Sequence, residues 1–222
     1  DEVNMIGMEH GIPVIDDCVE AFGSKYKGNY TGNLGTDVTI FSFQTVRLPN
    51  TIDGGAIVFK DSDLYKKALL TRDFGIRRDI FRDENNEISA KCDISLSGYG
   101  ATMSDINSYI GCCQMDEIMM LLESQQRNAK KWDVIIEQTY PRFYRLNQRD
   151  QIQPNYWVYG FLCDRKIEVM LDFRKQGYYA SGVHLNNNCY SVFGNTEKLC
   201  GVNDFMKKFV AIPCGWWLNL NL

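Results

Sequence analysis

Short apolar runs that end in carboxylates, a hydroxyl or paired glycines fill the first quarter of the sequence, and such endings are where a sheet-based enzyme holds its ligands. The run IPVIDD, residues 12–17, closes on Asp16 and Asp17 and turns into a segment that ends in Gly23-Ser24. A carboxylate is thereby set at the carboxyl edge of a strand, either facing a ligand or only capping the turn that follows. The run VTIFSF, residues 38–43, brings the hydroxyl of Ser42 to the same kind of edge, and Asp53-Gly54-Gly55 opens the next run with flexible backbone. A hydroxyl beside uncrowded backbone suits a phosphate.

Each of these groups needs a strand to carry it and helices to cover the strand. Residues 12–17, 38–43 and 54–60 read as strands of an α/β domain, apolar enough to be buried on both faces. Residues 61–74 read as a helix, with Asp61 or Ser62 as its cap, Leu64, Ala68 and Leu69 as its apolar stripe and Gly75 as its stop. The polar stretch DENNE, residues 83–87, reads as an exposed hairpin tip. Ser104 or Thr102 then caps a long helix in which Met103, Ile106, Ile110, Cys113, Leu121, Leu122 and Trp132 keep helical spacing until Pro141. A helix of that length commonly links two lobes. We therefore divide the sequence into residues 1–103, the ligand-binding α/β part, and 104–222, the long helix and a smaller α+β part. In the latter, 156–163, 179–184 and 209–213 read as strands, and 167–176 as a helix stopped by Gly177.

Six segments in order, IDDCVEAFGS, GTDVTIFSF, DGGAIV, RDFGI, GYGATMSDIN with IGCCQM, and IPCGWWL, resemble the DegT/DnrJ/EryC1/StrS family of sugar aminotransferases that depend on pyridoxal 5'-phosphate (PLP). The resemblance runs in register over nearly the whole chain. It implies the type I PLP-transferase fold, a mostly parallel α/β sheet flanked by helices and followed by a small C-terminal α+β domain. It also implies amino transfer from an amino-acid donor to a nucleotide-linked keto-sugar, usually by a homodimer. Asp17 then matches the aspartate paired with the pyridine nitrogen of PLP, where a carboxylate keeps the ring protonated and electron-withdrawing. Glu20 falls where the family usually has Gln near the ring hydroxyl, and Ser42 matches the serine on the cofactor phosphate.

The family's Schiff-base lysine falls on Arg47. A Schiff base needs a neutral amine, whereas a guanidinium keeps its proton, so ordinary transamination is not the expectation for this chain. Gly100 and Thr102 stand where the family pattern has Asn and Arg. The family's opening segment, with its phosphate loop and the aromatic side chain that stacks on the ring, has no counterpart. Because the chain begins as if inside a helix and stops at GWWLNLNL, it reads as incomplete. The readings left open are a PLP aminotransferase, a dehydratase-like enzyme that holds PLP without a covalent bond, and a non-catalytic family member or gene fragment. In the smaller part, His184 and Asn187 fall where the family lines its substrate cleft, a hydrogen-bonded structural histidine being the alternative.

Bulk properties agree with a globular enzyme scaffold. A formal charge of -4, with both signs scattered, leaves no basic stripe for a nucleic acid. No apolar run approaches a membrane span, and the opening residues lack a basic and apolar leader, so the expected location is cytoplasmic. The eight cysteines include no C-x-x-C pair and the histidines number two, which argues against zinc and for reduced, mostly buried thiols. Trp216 and Trp217 read as core packing rather than as a sugar platform. Arg72 and Arg77 either grip an anion or are solvated and salt-bridged.

Overall fold

Apolar runs separated by capped helices order the chain as α1 (Glu2–His10), β1 (Ile15–Asp17), β2 (Lys25–Tyr26), β3 (Asn29–Tyr30), β4 (Val38–Ser42), β5 (Gly55–Phe59), α2 (Ser62–Arg72) and α3 (Asp105–Met115). There follow α4 (Ile118–Thr139), β6 (Tyr144–Arg145), β7 (Ile152–Gln153), β8 (Tyr159–Leu162), α5 (Lys166–Lys175), α6 (Cys200–Lys208) and β9 (Phe209–Ile212). The computed structural model describes residues 1–146, 149–194 and 197–220. The chain divides into two units, one of Asp1–Phe22 with Asn29–Asp116 and one of Gly23–Gly28 with Glu117–Leu222.

In the first unit β1 pairs parallel with β4, and β4 pairs antiparallel with β5. This small mixed sheet replaces the mostly parallel sheet expected from the sequence. The cause lies in the connections: a parallel return needs a long crossover, as between β1 and β4, whereas residues 43–54 hold no helix and turn the chain straight back. Burial on both faces is also not observed. The side of β4 that carries Thr39 and Phe41 is packed, with Phe22 edge-on to Phe41 at 5.4 Å, while on the other side Ile15 and Ile57 are 62% and 53% exposed.

The helices of this unit follow their local signals. Asp61 caps α2 by accepting the amide of Leu64 at 2.6 Å, and Ser104 caps α3 by accepting that of Asn107 at 3.2 Å. The hairpin tip at 83–87 forms around Asp83, whose carboxylate accepts the amides of Asn85 and Glu87. The long helix is not continuous, because α3 stops before Asp116 and α4 starts after Glu117. Carboxylates are unfavourable at the end of α3 and favourable ahead of α4, so the acidic pair sits better at a break than inside one rod.

The second unit is built on the amphipathic stripe of α4. Ile118, Leu122, Gln125, Ala129, Trp132 and Ile136 are buried at helical spacing. Trp132 meets Tyr178, Phe173 and Tyr159 at ring distances of 5.1, 6.0 and 6.4 Å, and the three-stranded sheet β6-β8-β9 completes this core. Residues 179–184 form no strand beyond one bridge from Ser181 to Ala211. Val183 has φ 61, which breaks an extended run. Among the described residues, no helix is long and apolar enough to cross a membrane.

Candidate functional site

Parallel pairing sets two of the candidate residues at one sheet edge. Asp17 is the register partner of Ile40, and Ser42 lies two residues further along β4. Register partners and residues two apart share a face, so Asp17 and Ser42 project from the same side, about 8 Å apart by strand spacing and rise. The ladder continues one step beyond, where the amide of Cys18 donates to the Ile40 carbonyl at 2.9 Å. Neither side chain caps a helix. Asp17 accepts the amide of Val19 at 3.2 Å and Ser42 that of Gln44 at 3.4 Å, so each also holds the turn that leaves its strand.

Those two turns carry the other candidates toward each other. Glu20 follows β1 and Arg47 follows β4, and Arg47 Nη2 lies 3.3 Å from Glu20 Oε1. The guanidinium is largely enclosed, its side chain 14% exposed against 34% for the glutamate, and Arg47 Nε and Nη1 are shut off from solvent. Phe22 packs edge-on to Phe43 at 6.0 Å and so joins the same turns. Lys60 lies at the far end of β5, beyond Phe59 and with its Nζ 3.5 Å from the Gly35 carbonyl. That is about 16 Å of strand from Ser42 at the usual rise, so Lys60 does not stand in for residue 47.

Residues 43–54, which carry Arg47, are cinched at their base. Thr51 is 2% exposed; its amide donates to the Phe43 carbonyl at 2.8 Å and its hydroxyl reaches the Asp53 carbonyl at 2.7 Å. Sequence reasoning missed Thr51 and Asn50. The one signal available was Leu48-Pro49-Asn50, a turn-forming run between two strands.

At position 100 a Cβ would meet Phe74 Cζ at 2.4 Å, so a larger side chain there requires the Phe74 ring to shift. In the second unit, His184 is exposed and its ring lies 6.4 Å from that of Trp157. Asn187 opens the short 3-10 turn Asn187–Cys189 and is exposed as well.

Several weaker candidates resolve plainly. Arg77 pairs with Asp79 at 2.7 Å, and Arg72 is exposed. Trp216 and Trp217 are 46% and 64% exposed, so they are not core; Trp217 folds back over Gly215, which leaves both rings at the surface. The eight cysteines are free thiols, yet Cys112, Cys113, Cys189 and Cys200 are exposed rather than buried. Cys112 and Cys113 occupy a helix that covers the sheet connection with another of its faces. Among the described residues no group of three or more His, Cys, Asp or Glu could hold a metal ion.

Comparison with known proteins follows the same lines. The family model described as the DegT/DnrJ/EryC1/StrS aminotransferase family matches residues 1–219. A UDP-4-amino-4,6-dideoxy-N-acetyl-beta-L-altrosamine transaminase of Campylobacter jejuni is 27% identical over 99% of this chain and 58% of its own length. The sugar aminotransferase CalS13 from Micromonospora echinospora superposes with a TM-score of 0.85 at 26% identity, over 97% of this chain and 57% of that one. Spr1654 of Streptococcus pneumoniae, solved in a PLP form, shares the fold with a TM-score of 0.79 at 20% identity, over 94% of this chain and 54% of its own. The chain thus spans somewhat more than half the length of the curated relative, 58%.

Proposed function

Because the chain belongs to the DegT/DnrJ/EryC1/StrS aminotransferase family, whose enzymes use PLP, we propose that the β1/β4 edge is its PLP cradle and that Arg47 makes the hold non-covalent. One observation carries this reading: Asp17 and Ser42 share a face at one sheet edge, with the Glu20–Arg47 pair on the turns beside them. The residues present fit the ring and the phosphate. They do not fit a covalent attachment at residue 47, since the enclosed guanidinium is an ion-pair partner and not an amine nucleophile.

In this reading the Asp17 carboxylate would accept the pyridinium N–H, and the Ser42 hydroxyl would donate to a phosphate oxygen. Glu20 fixes the plane of the Arg47 guanidinium, which donates hydrogen bonds and excludes water from that side. Arg47 holds its proton and so does not act as the base that a lysine supplies at this place. When bound, the pyridinium ring supplies a sink for negative charge at the neighbouring carbon. If the chain is active, its substrate would be a nucleotide-linked sugar and its amino donor an amino acid; His184 and Asn187 are the small-domain residues we assign to the sugar. A homodimer is the assembly we assign to it.

The test is equilibrium titration with PLP and with pyridoxal, which lacks the phosphate. We expect saturable binding of PLP that Asp17→Asn weakens for both ligands. Ser42→Ala should weaken PLP alone, by roughly ten-fold, as expected for one hydrogen bond to a charged group. Binding that neither substitution changes would show that the ligand sits elsewhere.

A further inference from the structure

One face of α3 is built against the connection that carries Arg47. Asn107, Gly111 and Gln114 are spaced four and three apart, which puts them in line on a helix. Gln114 binds the backbone of Asn50 on both sides: its Oε1 accepts the Asn50 amide at 2.9 Å, and its Nε2 donates to the Asn50 carbonyl. Asn107 Nδ2 donates to the Asp53 carbonyl at 3.2 Å. Between them Gly111 is buried, and a Cβ there would meet Thr51 Cγ2 at 2.8 Å, so the close approach requires glycine.

Besides the Arg47–Glu20 ion pair and the contact of Thr51 Oγ1 with Met103 Sδ at 3.7 Å, this connection is bonded within itself and to its flanking strands. Phe43 N donates to Gly54 O at 2.9 Å, Arg47 N to Gln44 O at 2.8 Å, Asn50 Nδ2 to Thr45 O at 2.9 Å and Ile52 N to Asn50 Oδ1 at 2.7 Å. These shape the loop but do not tie it to a rigid element at residue 50. Gln114 does so three residues from Arg47, with the paired donor and acceptor that a neighbouring strand would present.

We propose that Gln114, with Asn107, is a positioning residue that racks residues 43–54 on α3 and thereby sets where the side chain of residue 47 stands. The role toward residue 47 rests on the cofactor reading above; the rack itself does not. Gln114→Met keeps the length and removes both bonds. Asn107→Ala, which deletes a single bond, carries the same test should the first variant fail to fold.

The first readout is amide hydrogen exchange of the unliganded protein. Residues 44–50 should exchange at least ten-fold faster in Gln114→Met, with β4 unchanged; unchanged protection of 44–50 overturns the rack. The second readout is the rate at which PLP forms a borohydride-stable adduct at residue 47 in Arg47→Lys, located by peptide mapping. Adding Gln114→Met should slow it about ten-fold while the thermal midpoint moves by only a few degrees. An unaltered adduct rate beside a loosened loop overturns the positioning role and leaves Gln114 merely structural. If Arg47→Lys alone gains no adduct at 47, the cofactor reading fails, and the exchange measurement by itself decides the rack.

Discussion

Arg47 and Glu20 behave as one electrostatic unit at 3.3 Å, largely enclosed on the arginine side. Glu20→Gln therefore leaves a desolvated cation with less compensation. Because the glutamate is 34% exposed, the expected cost is small, about 1 kcal/mol by urea denaturation, and much of it should vanish when Arg47→Met is already present. Equal costs in both backgrounds would show that the two do not interact. The thiols give a second residue-scale expectation. Burial, reinforced by the Asp16 carboxylate, pushes the Cys18 thiol up to about 12, and burial pushes Cys214 to about 12 as well. In the unfolded chain such thiols ionise near 9.0, so the unfolded state gains charge first and the fold loses stability as pH rises from 9.0 toward 12. Native alkylation at pH 8 should label Cys112, Cys113, Cys189 and Cys200 but spare Cys18, Cys163 and Cys214; labelling of Cys214 before unfolding would contradict this. The residue types at positions 17, 20, 42 and 47 were legible in the sequence. Their pairing was not, since the Glu20–Arg47 contact depends on how two turns leave adjacent strands.

At the scale of elements, caps and turns were legible because their signals are local: Asp61, Ser104 and Asp83 each act within four residues of themselves. Sheet topology was not: residues 43–54 turn back without a helix, and the contacts that hold them there lie far off in sequence, as between Gln114 and Asn50, 64 positions apart. The missed strand at 179–184 has a related cause, a left-handed Val183 that no propensity predicts. Helix α4 is pinned to the last described residues by polar contacts: Asn128 Nδ2 donates to the Gly215 and Leu218 carbonyls at 2.9 and 3.0 Å, and Trp132 Nε1 to Pro213 at 2.9 Å. Asn128→Leu would strand two carbonyls beside a buried apolar side chain. We expect a loss of about 2–3 kcal/mol in urea denaturation, and a loss below about 0.5 kcal/mol would mean that the tail does not depend on this residue.

For the molecule as a whole, the open side of the first unit's sheet is the feature with the largest consequence. Ile15 and Ile57 are 62% and 53% exposed on the face that also bears Asp17 and Ser42, and on α1 Val3, Met5 and Met8 are 65%, 63% and 73% exposed. Exposed apolar side chains in this number favour association. Light scattering should report a mass above 25.6 kDa that grows with concentration, and Ile57→Lys should lower it; a concentration-independent monomer would contradict the expectation. If the cofactor lies on this face, as proposed above, ligand binding and association are expected to compete.

The most direct measurement is borohydride reduction of the PLP-saturated protein followed by peptide mapping of residue 47, in parallel for the parent and for Arg47→Lys. A parent that binds PLP yet carries no adduct at that peptide, beside an Arg47→Lys protein that does, is the predicted pair of results. A parent whose PLP is reduced onto another specific lysine, or an Arg47→Lys protein that binds PLP and still leaves residue 47 unmodified, would mean that this edge of the sheet is not where the cofactor sits.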